Sequence, residues 1–99
     1  MFEIGFNERG EVAVSGRLDA AQSARAQEFL DQVNGACVID MAALEYISSA
    51  GLGVLLKTQK RSLSSAGALK LINVNTQIND IFRYSGFDKL FKIVRAGSQ

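Results

Sequence analysis

Histidine is absent from the 99-residue chain and cysteine occurs once. Without an imidazole the chain has neither the usual general base nor the commonest metal ligand, so Ser-His catalysis and most zinc chemistry are excluded from this chain alone. The lone Cys37 cannot close an intrachain disulfide, and its place in the apolar run "ACVI" reads as a buried structural thiol rather than a reactive one. An excess of one charge is also lacking: eleven Lys and Arg stand against ten Asp and Glu, for a formal net charge of +1. There is no block of like charges, so no broad attraction to nucleic acid or to an anionic membrane is expected, and any partner must be met by a local patch. No apolar run approaches the length needed to span a bilayer, and no basic-flanked apolar leader opens the chain, so a cytoplasmic protein is expected. No repeat, linker or composition break divides residues 1–99, and 47% hydrophobic with 21% charged residues is ordinary for one globular domain.

What is present alternates between two periods. "FEIGFN" places Phe2, Ile4 and Phe6 on one side, and "EVAVSGRL" repeats the pattern with Val12, Val14 and Leu18. With Asn and Gly in "NERG" between them, this predicts a hairpin of two strands, the first of them an antiparallel edge. From Asp19, a candidate cap, Ala26, Phe29, Leu30 and Val33 recur at helical spacing up to "NG" at Asn34 and Gly35. "ACVID" is a short β-branched apolar run of the kind covered on both faces, and predicts a central strand; "MAALEYI" then reads as a loop. A second helix follows, with Leu52, Leu55, Leu56 and Leu63 inward and Lys57, Lys60 and Arg61 mostly outward, closed by "SSAG" near Gly67. "ALKLINV" predicts another strand, Asn75 or Thr76 a cap, and Ile78, Ile81 and Phe82 the inner face of a third helix ending at Gly86. "KLFKIV" is a last strand and "AGSQ" a frayed end. The expected fold is α/β: a single domain with a mixed, mostly parallel sheet of about five strands and three to four helices packed on it.

The segment "EYISSAGLGVLL", residues 45–56, sets two serines and two glycines at the mouth of the second helix. The first-turn N–H groups there lack internal partners and carry partial positive charge. Ser48 or Ser49 can cap them. Gly53 costs roughly 1 kcal/mol of helix propensity, and Gly51 gives up a similar amount. Glycine leaves backbone open to close approach, so the mouth can present a flat polar surface to a protein or a phosphate. A phosphate-binding loop is a poor match because "GxxxxGK[ST]" is missing. An exposed serine at this place can instead accept a phosphoryl group, whose charge of about −1.5 to −2 the helix end tolerates and a docked partner does not.

At these residues the sequence resembles the STAS domains, and among them the small bacterial anti-sigma factor antagonists. The likeness runs over nearly the whole chain. It rests on "GRLDA", on "VIDMAALEYISSAGLGVLL" and on "LINVNTQINDIFRYSGFDKLFKI". The resemblance implies a non-enzymatic partner switch without cofactor or metal. The antagonist binds an anti-sigma factor that is also a serine kinase of the histidine-kinase-like ATPase fold, and so frees the sigma factor. Phosphorylation expels the antagonist, and a serine phosphatase restores it. Matched along the motif, Ser48 stands where relatives carry an aspartate, Ser49 takes the phosphoacceptor position, and Gly51 and Leu52 follow as Gly-Leu. Ser49 is the preferred acceptor and Ser48 the alternative. Thr76 replaces a proline found in many relatives, which should affect only the start of the third helix.

The implied partner surface comprises Arg17, Asp19, Ser48, Ser49, Ala50, Gly51 and Leu52. Arg17 and Asp19 also read as an exposed charge and a helix cap, and Asp40 as a turn acid beside the motif. A second function keeps the domain and changes the partner: a STAS subunit docked on a transporter ATPase or signalling complex without phosphorylation. An enzyme or nucleotide-binding domain is the remote third, since no paired carboxylates or metal-ligand cluster are seen. Neither nucleic acid nor membrane is an expected partner. The free chain is expected as a monomer or as a weak dimer through an exposed edge strand.

Overall fold

The computed structural model describes residues 1–33, 35–64 and 67–97. The helix stop at Asn34, the Ser65 and Ala66 part of the second stop, and Ser98 and Gln99 of the C-terminal end lie outside the described residues. The opening alternation becomes strands β1 (Phe2–Phe6) and β2 (Val12–Leu18), paired antiparallel with Ile4 opposite Val14. Their turn is held by Asn7, whose Oδ1 accepts from the backbone N–H of Arg9 at 2.9 Å and of Glu11 at 3.0 Å, while Gly10 supplies a φ of +76°. Then come α1 (Ala20–Leu30), β3 (Cys37–Ile47), α2 (Ser49–Ser64), β4 (Leu69–Val74), α3 (Thr76–Ser85), a 3₁₀ turn (Phe87–Lys89) and β5 (Lys92–Arg95). The strands lie in chain order, β1 antiparallel at one edge and β2 to β5 parallel. This is the mixed, mostly parallel α/β sheet expected from the sequence, with β3 at its centre.

Three connections step across the sheet in the same direction, and right-handed crossovers of that kind stack all their helices on one face. Burial follows: Val12, Val14, Gly16 and Leu18 on β2, Cys37, Ile39 and Met41 on β3, and Leu69 and Leu71 on β4 are buried, and the residues that alternate with them are not. The central strand is therefore covered on one face, not two. It is also longer than expected. "MAALEYI" continues the strand to Ile47, past shifts of register between Ala13 and Ser15 and between Gly16 and Arg17 on β2. Asp40 accordingly lies within β3, accepting from the Ala42 N–H at 2.9 Å and from Asn73 Nδ2 at 3.1 Å, rather than at a turn.

Other side chains depart from the periodic reading for local reasons. Phe6, at the last residue of the edge strand, is exposed, its ring 5.2 Å from that of Phe29 of α1 between centroids. α1 ends at Leu30, earlier than "NG" suggested, because Asp31 already closes the last turn through Gln27 and Phe29 carbonyls. On α2 the inner stripe is Leu52, Val54, Leu55, Thr58, Gln59 and Ser62, and Leu63 points outward. The polar members fit inside because they are bonded. Thr58 Oγ1 donates to the Val54 carbonyl at 2.8 Å, and Gln59 bridges two segments, donating to Leu90 O at 2.6 Å and accepting from Leu69 N at 2.8 Å. Arg61 is half-buried rather than part of a solvated face, and donates to the Leu30 carbonyl at the end of α1. The core closes around Ile39, Leu71, Ile78 and Phe82, all without exposed surface.

Candidate functional site

Strands β2, β3 and β4 each deliver the chain to a helix at the same end of the sheet, so three helix N-termini gather there on neighbouring strands. Each has its own cap. Asp19 accepts from Gln22 N at 3.2 Å, Asn75 Oδ1 accepts from Ile78 N at 2.8 Å, and Ser48 Oγ accepts from Gly51 N at 3.2 Å. The Asp19 and Asn75 caps were legible in the sequence as local chemistry. They are also cross-linked to the central strands: Ser48 N donates to Leu18 O at 2.9 Å, and Asn75 Nδ2 donates to Leu44 O at 3.1 Å.

This arrangement separates the two serines. Ser48 is half-buried and fully engaged, its carbonyl accepting from Leu52 N at 2.9 Å in addition to the cap and the Leu18 bond. Ser49 is the first residue of α2, exposed, and its hydroxyl makes no hydrogen bond among the described residues. Ala50 beside it is exposed too, and no acidic residue occupies the first turn of α2. The site is thus a bare hydroxyl at a helix end with partial positive charge and no carboxylate in the helix's own first turn to repel an anion.

The two glycines have different causes. A Cβ on Gly51 would lie 2.8 Å from Ile47 Cγ1 and 2.9 Å from both Leu18 Cγ and Leu18 O, so only glycine lets α2 start this close to the strand ends. Gly51 and Leu52, the latter 5% exposed, are packed beneath the surface and offer no side chain for a direct contact. Gly53 is exposed, and a Cβ there would meet nothing within 4 Å.

Arg17 is exposed and lies opposite Tyr46 in the β2–β3 register, its guanidinium 4.5 Å from the Tyr46 ring centroid. Tyr46 escaped the sequence reading because its segment read as a loop, which hid the cross-strand pairing. Asp19 is half-buried, spent on its cap and with its carbonyl accepting from Ser23 Oγ at 2.9 Å. The Leu18–Ser48 bond joins the Arg17–Asp19 segment to Ser48 and Ser49, so these five positions and Ala50 share one end of the sheet.

Cys37 lies at the opposite end of β3, and burial pushes its thiol up from the ordinary value of 9.0, with nearby Arg61 pulling weakly the other way. Among the described residues no group of three His, Cys, Asp or Glu could hold a metal ion, and no helix is long and apolar enough to cross a membrane.

The family model described as "Mlab, STAS domain" matches residues 5–95, from β1 through β5. The chain belongs to the STAS domain family. Among curated proteins, this STAS chain is 36% identical over 59 residues to BtrV of Bordetella bronchiseptica, whose name assigns it as an anti-sigma factor antagonist. The match takes in 60% of this chain and 51% of BtrV, so the chain spans about half the length of the curated relative it matches. An anti-sigma factor antagonist from Mycobacterium paratuberculosis superposes with a TM-score of 0.76 at 21% identity, over 95% of this chain and 84% of that one. Bacillus SpoIIAA in its phosphorylated form superposes with a TM-score of 0.68 at 18% identity, over 97% and 91%. At those identities the two structures establish the shared fold.

Proposed function

We propose that residues 1–99 act as one STAS domain that binds an anti-sigma factor serine kinase in the cytoplasm, frees a sigma factor, and is switched off by reversible phosphorylation on Ser49. The observation that carries this reading is the division of labour between neighbouring hydroxyls. Ser48 is used by the fold, whereas Ser49 is exposed, unbonded and at a helix N-terminus. A phosphoryl group there adds about −1.5 to −2 charges beside the positive end of α2, which the domain tolerates, while a partner seated on Ser49 must desolvate and oppose them. The names of BtrV and of the structural neighbours, and the existence of SpoIIAA in a phosphorylated form, support the same reading.

In this mechanism Arg17, Asp19, Ser48 and Ala50 frame the contact around Ser49, and a serine phosphatase resets the switch. In this reading the chain is the kinase's substrate: Ser49 Oγ attacks the γ-phosphorus of ATP held by the kinase, the bond from that phosphorus to the β–γ bridging oxygen breaks, ADP leaves, and the hydroxyl gives up its proton. The test is affinity capture with Ser49→Ala and Ser49→Asp baits, followed by mass spectrometry of the wild-type chain after incubation with the captured kinase and ATP. Capture by Ser49→Ala but not Ser49→Asp, with phosphate on Ser49, is expected. Phosphate on Ser48 alone, or none on either serine, overturns the Ser49 switch. Recovery of a transporter ATPase by both baits assigns the docking-subunit role instead.

A further inference from the structure

β1 ends the sheet on one side and pairs only with β2. The ladder is bracketed by Arg17 N donating to Met1 O at 2.9 Å and Asn7 N donating to Glu11 O at 2.8 Å. In that antiparallel register Met1, Glu3, Gly5 and Asn7 turn their backbone groups toward β2, so Phe2, Ile4 and Phe6 turn theirs outward. One of the outward carbonyls is occupied: Arg25 Nη1 of α1 donates to Phe2 O at 2.8 Å. The N–H and C=O groups of Ile4 and Phe6 have no partner among the described residues.

Natural edges are guarded by lysine, proline, a bulge or a covering loop. β1, "FEIGF", has neither lysine nor proline, its pairing with β2 is continuous, and its apolar side chains reach the rim. Phe6 is 62% exposed, and a shallow depression lined by Ile4, Arg25, Glu28, Phe29 and Gln32 runs between the strand and α1.

We infer that this edge is the self-association surface of the protein, and that its occupant is β1 of a second copy, antiparallel about Ile4. Charge selects that occupant. α1 lies along β1 with Arg25 at the Phe2 end, where its guanidinium is 3.7 Å from the exposed Glu3 carboxylate and stays open to a second acidic partner, and with Phe29 at the Phe6 end, where Glu28 is exposed beside it. A two-fold axis at Ile4 sets Phe2 of one copy against Phe6 of the other, and so brings each Arg25 toward the other copy's Glu28. Ile4 exchanges both backbone bonds with its symmetry mate, and each exposed Phe6 ring, beside its half-buried neighbour Phe29, is covered next to the seam. The contact is isologous, continues the sheet to ten strands, and closes on itself after two copies because each β1 has one free edge. A net charge of +1 leaves little general repulsion against it.

Sedimentation velocity of the whole chain over a concentration series, with backbone amide exchange on the same samples, tests this. A monomer–dimer equilibrium is expected, with the Ile4 and Phe6 amides gaining protection as the dimer fills. Arg25→Glu and Glu28→Arg should each weaken dimerisation about tenfold or more, and the double variant should restore it. Ile4→Pro leaves a monomer tolerant, because that N–H faces solvent, but removes a donor from the seam. A chain that stays monomeric up to about 1 mM overturns the inference. So does a dimer that leaves Ile4 and Phe6 unprotected, or one unchanged by a folded Ile4→Pro.

Discussion

The amide of Ser48 and the carbonyl of Leu18 meet at 2.9 Å, tying the mouth of α2 to the end of the neighbouring strand. That bond places the Ser48 hydroxyl under Gly51 N and leaves the next residue, Ser49, as the outermost hydroxyl of the helix end.

The two serines should therefore separate cleanly in mutagenesis. Ser48→Ala deprives the Gly51 N–H of its acceptor and is expected to lower the unfolding free energy by about 0.5–2 kcal/mol. In a domain of this size about 1 kcal/mol lowers Tm by roughly 4–8 °C. Ser49→Ala touches no bond of the fold and should stay within about 0.5 kcal/mol of wild type in the same urea titration.

The glycines should move stability in opposite directions. Gly51→Ala forces a methyl group against Leu18 and Ile47 and is expected to cost about 1–3 kcal/mol. Gly53→Ala enters open space on a helix and should gain up to about 1 kcal/mol. If the partner seats against α2, the same Gly53→Ala chain, although more stable, should be captured less well, because the added methyl stands where the approaching surface lies.

Arg17 and Tyr46 form a third test. Their exposed cation–π contact is worth about 0.5–1 kcal/mol, so Tyr46→Leu should barely change the denaturation midpoint. Arg17→Ala should likewise leave the fold intact while weakening kinase capture, measured by calorimetry with the partner in the cell. Unchanged capture removes Arg17 from the contact surface.

Cys37 links pH to stability with a definite sign. Its folded-state thiol is raised above 9.0 by burial, so above that pH the unfolded chain releases its proton first and unfolding is favoured. The thiol's contribution is fully present below pH 9 and is lost as pH rises through the folded value. Wild type should show an alkaline decline in urea midpoint that Cys37→Ala lacks, and thiol-reactive dye should label the native chain slowly and the unfolded chain at once.

The caps at Asp19 and Asn75 and the left-handed stop at Gly86 could be read directly because each depends on a few neighbouring residues. The second half of β3 could not. Ala42, Ala43 and Glu45 have little preference for strands, and the alternation of buried residues breaks after Met41, so only the pairing with β2 reveals the strand. Leu63 was misplaced, and Gln59 went unread, for a related reason. Hydrophobicity alone puts leucine inside, whereas Gln59 is admitted by two backbone partners, at Leu69 and Leu90, that lie far along the chain or beyond a turn. The same limit applied at the helix mouth, where the need for Gly51 comes from Leu18, 33 positions earlier, while Gly53 is free of any such neighbour.

Gln59 has a consequence for signalling. By clasping both Leu69 and Leu90, it pins the middle of α2 to two other segments, while Arg61 holds the helix to the end of α1. A helix fastened at three places has no cheap route to tilt or slide, so a phosphate at its mouth would carry its message as a change of surface potential, with the scaffold behind it standing still.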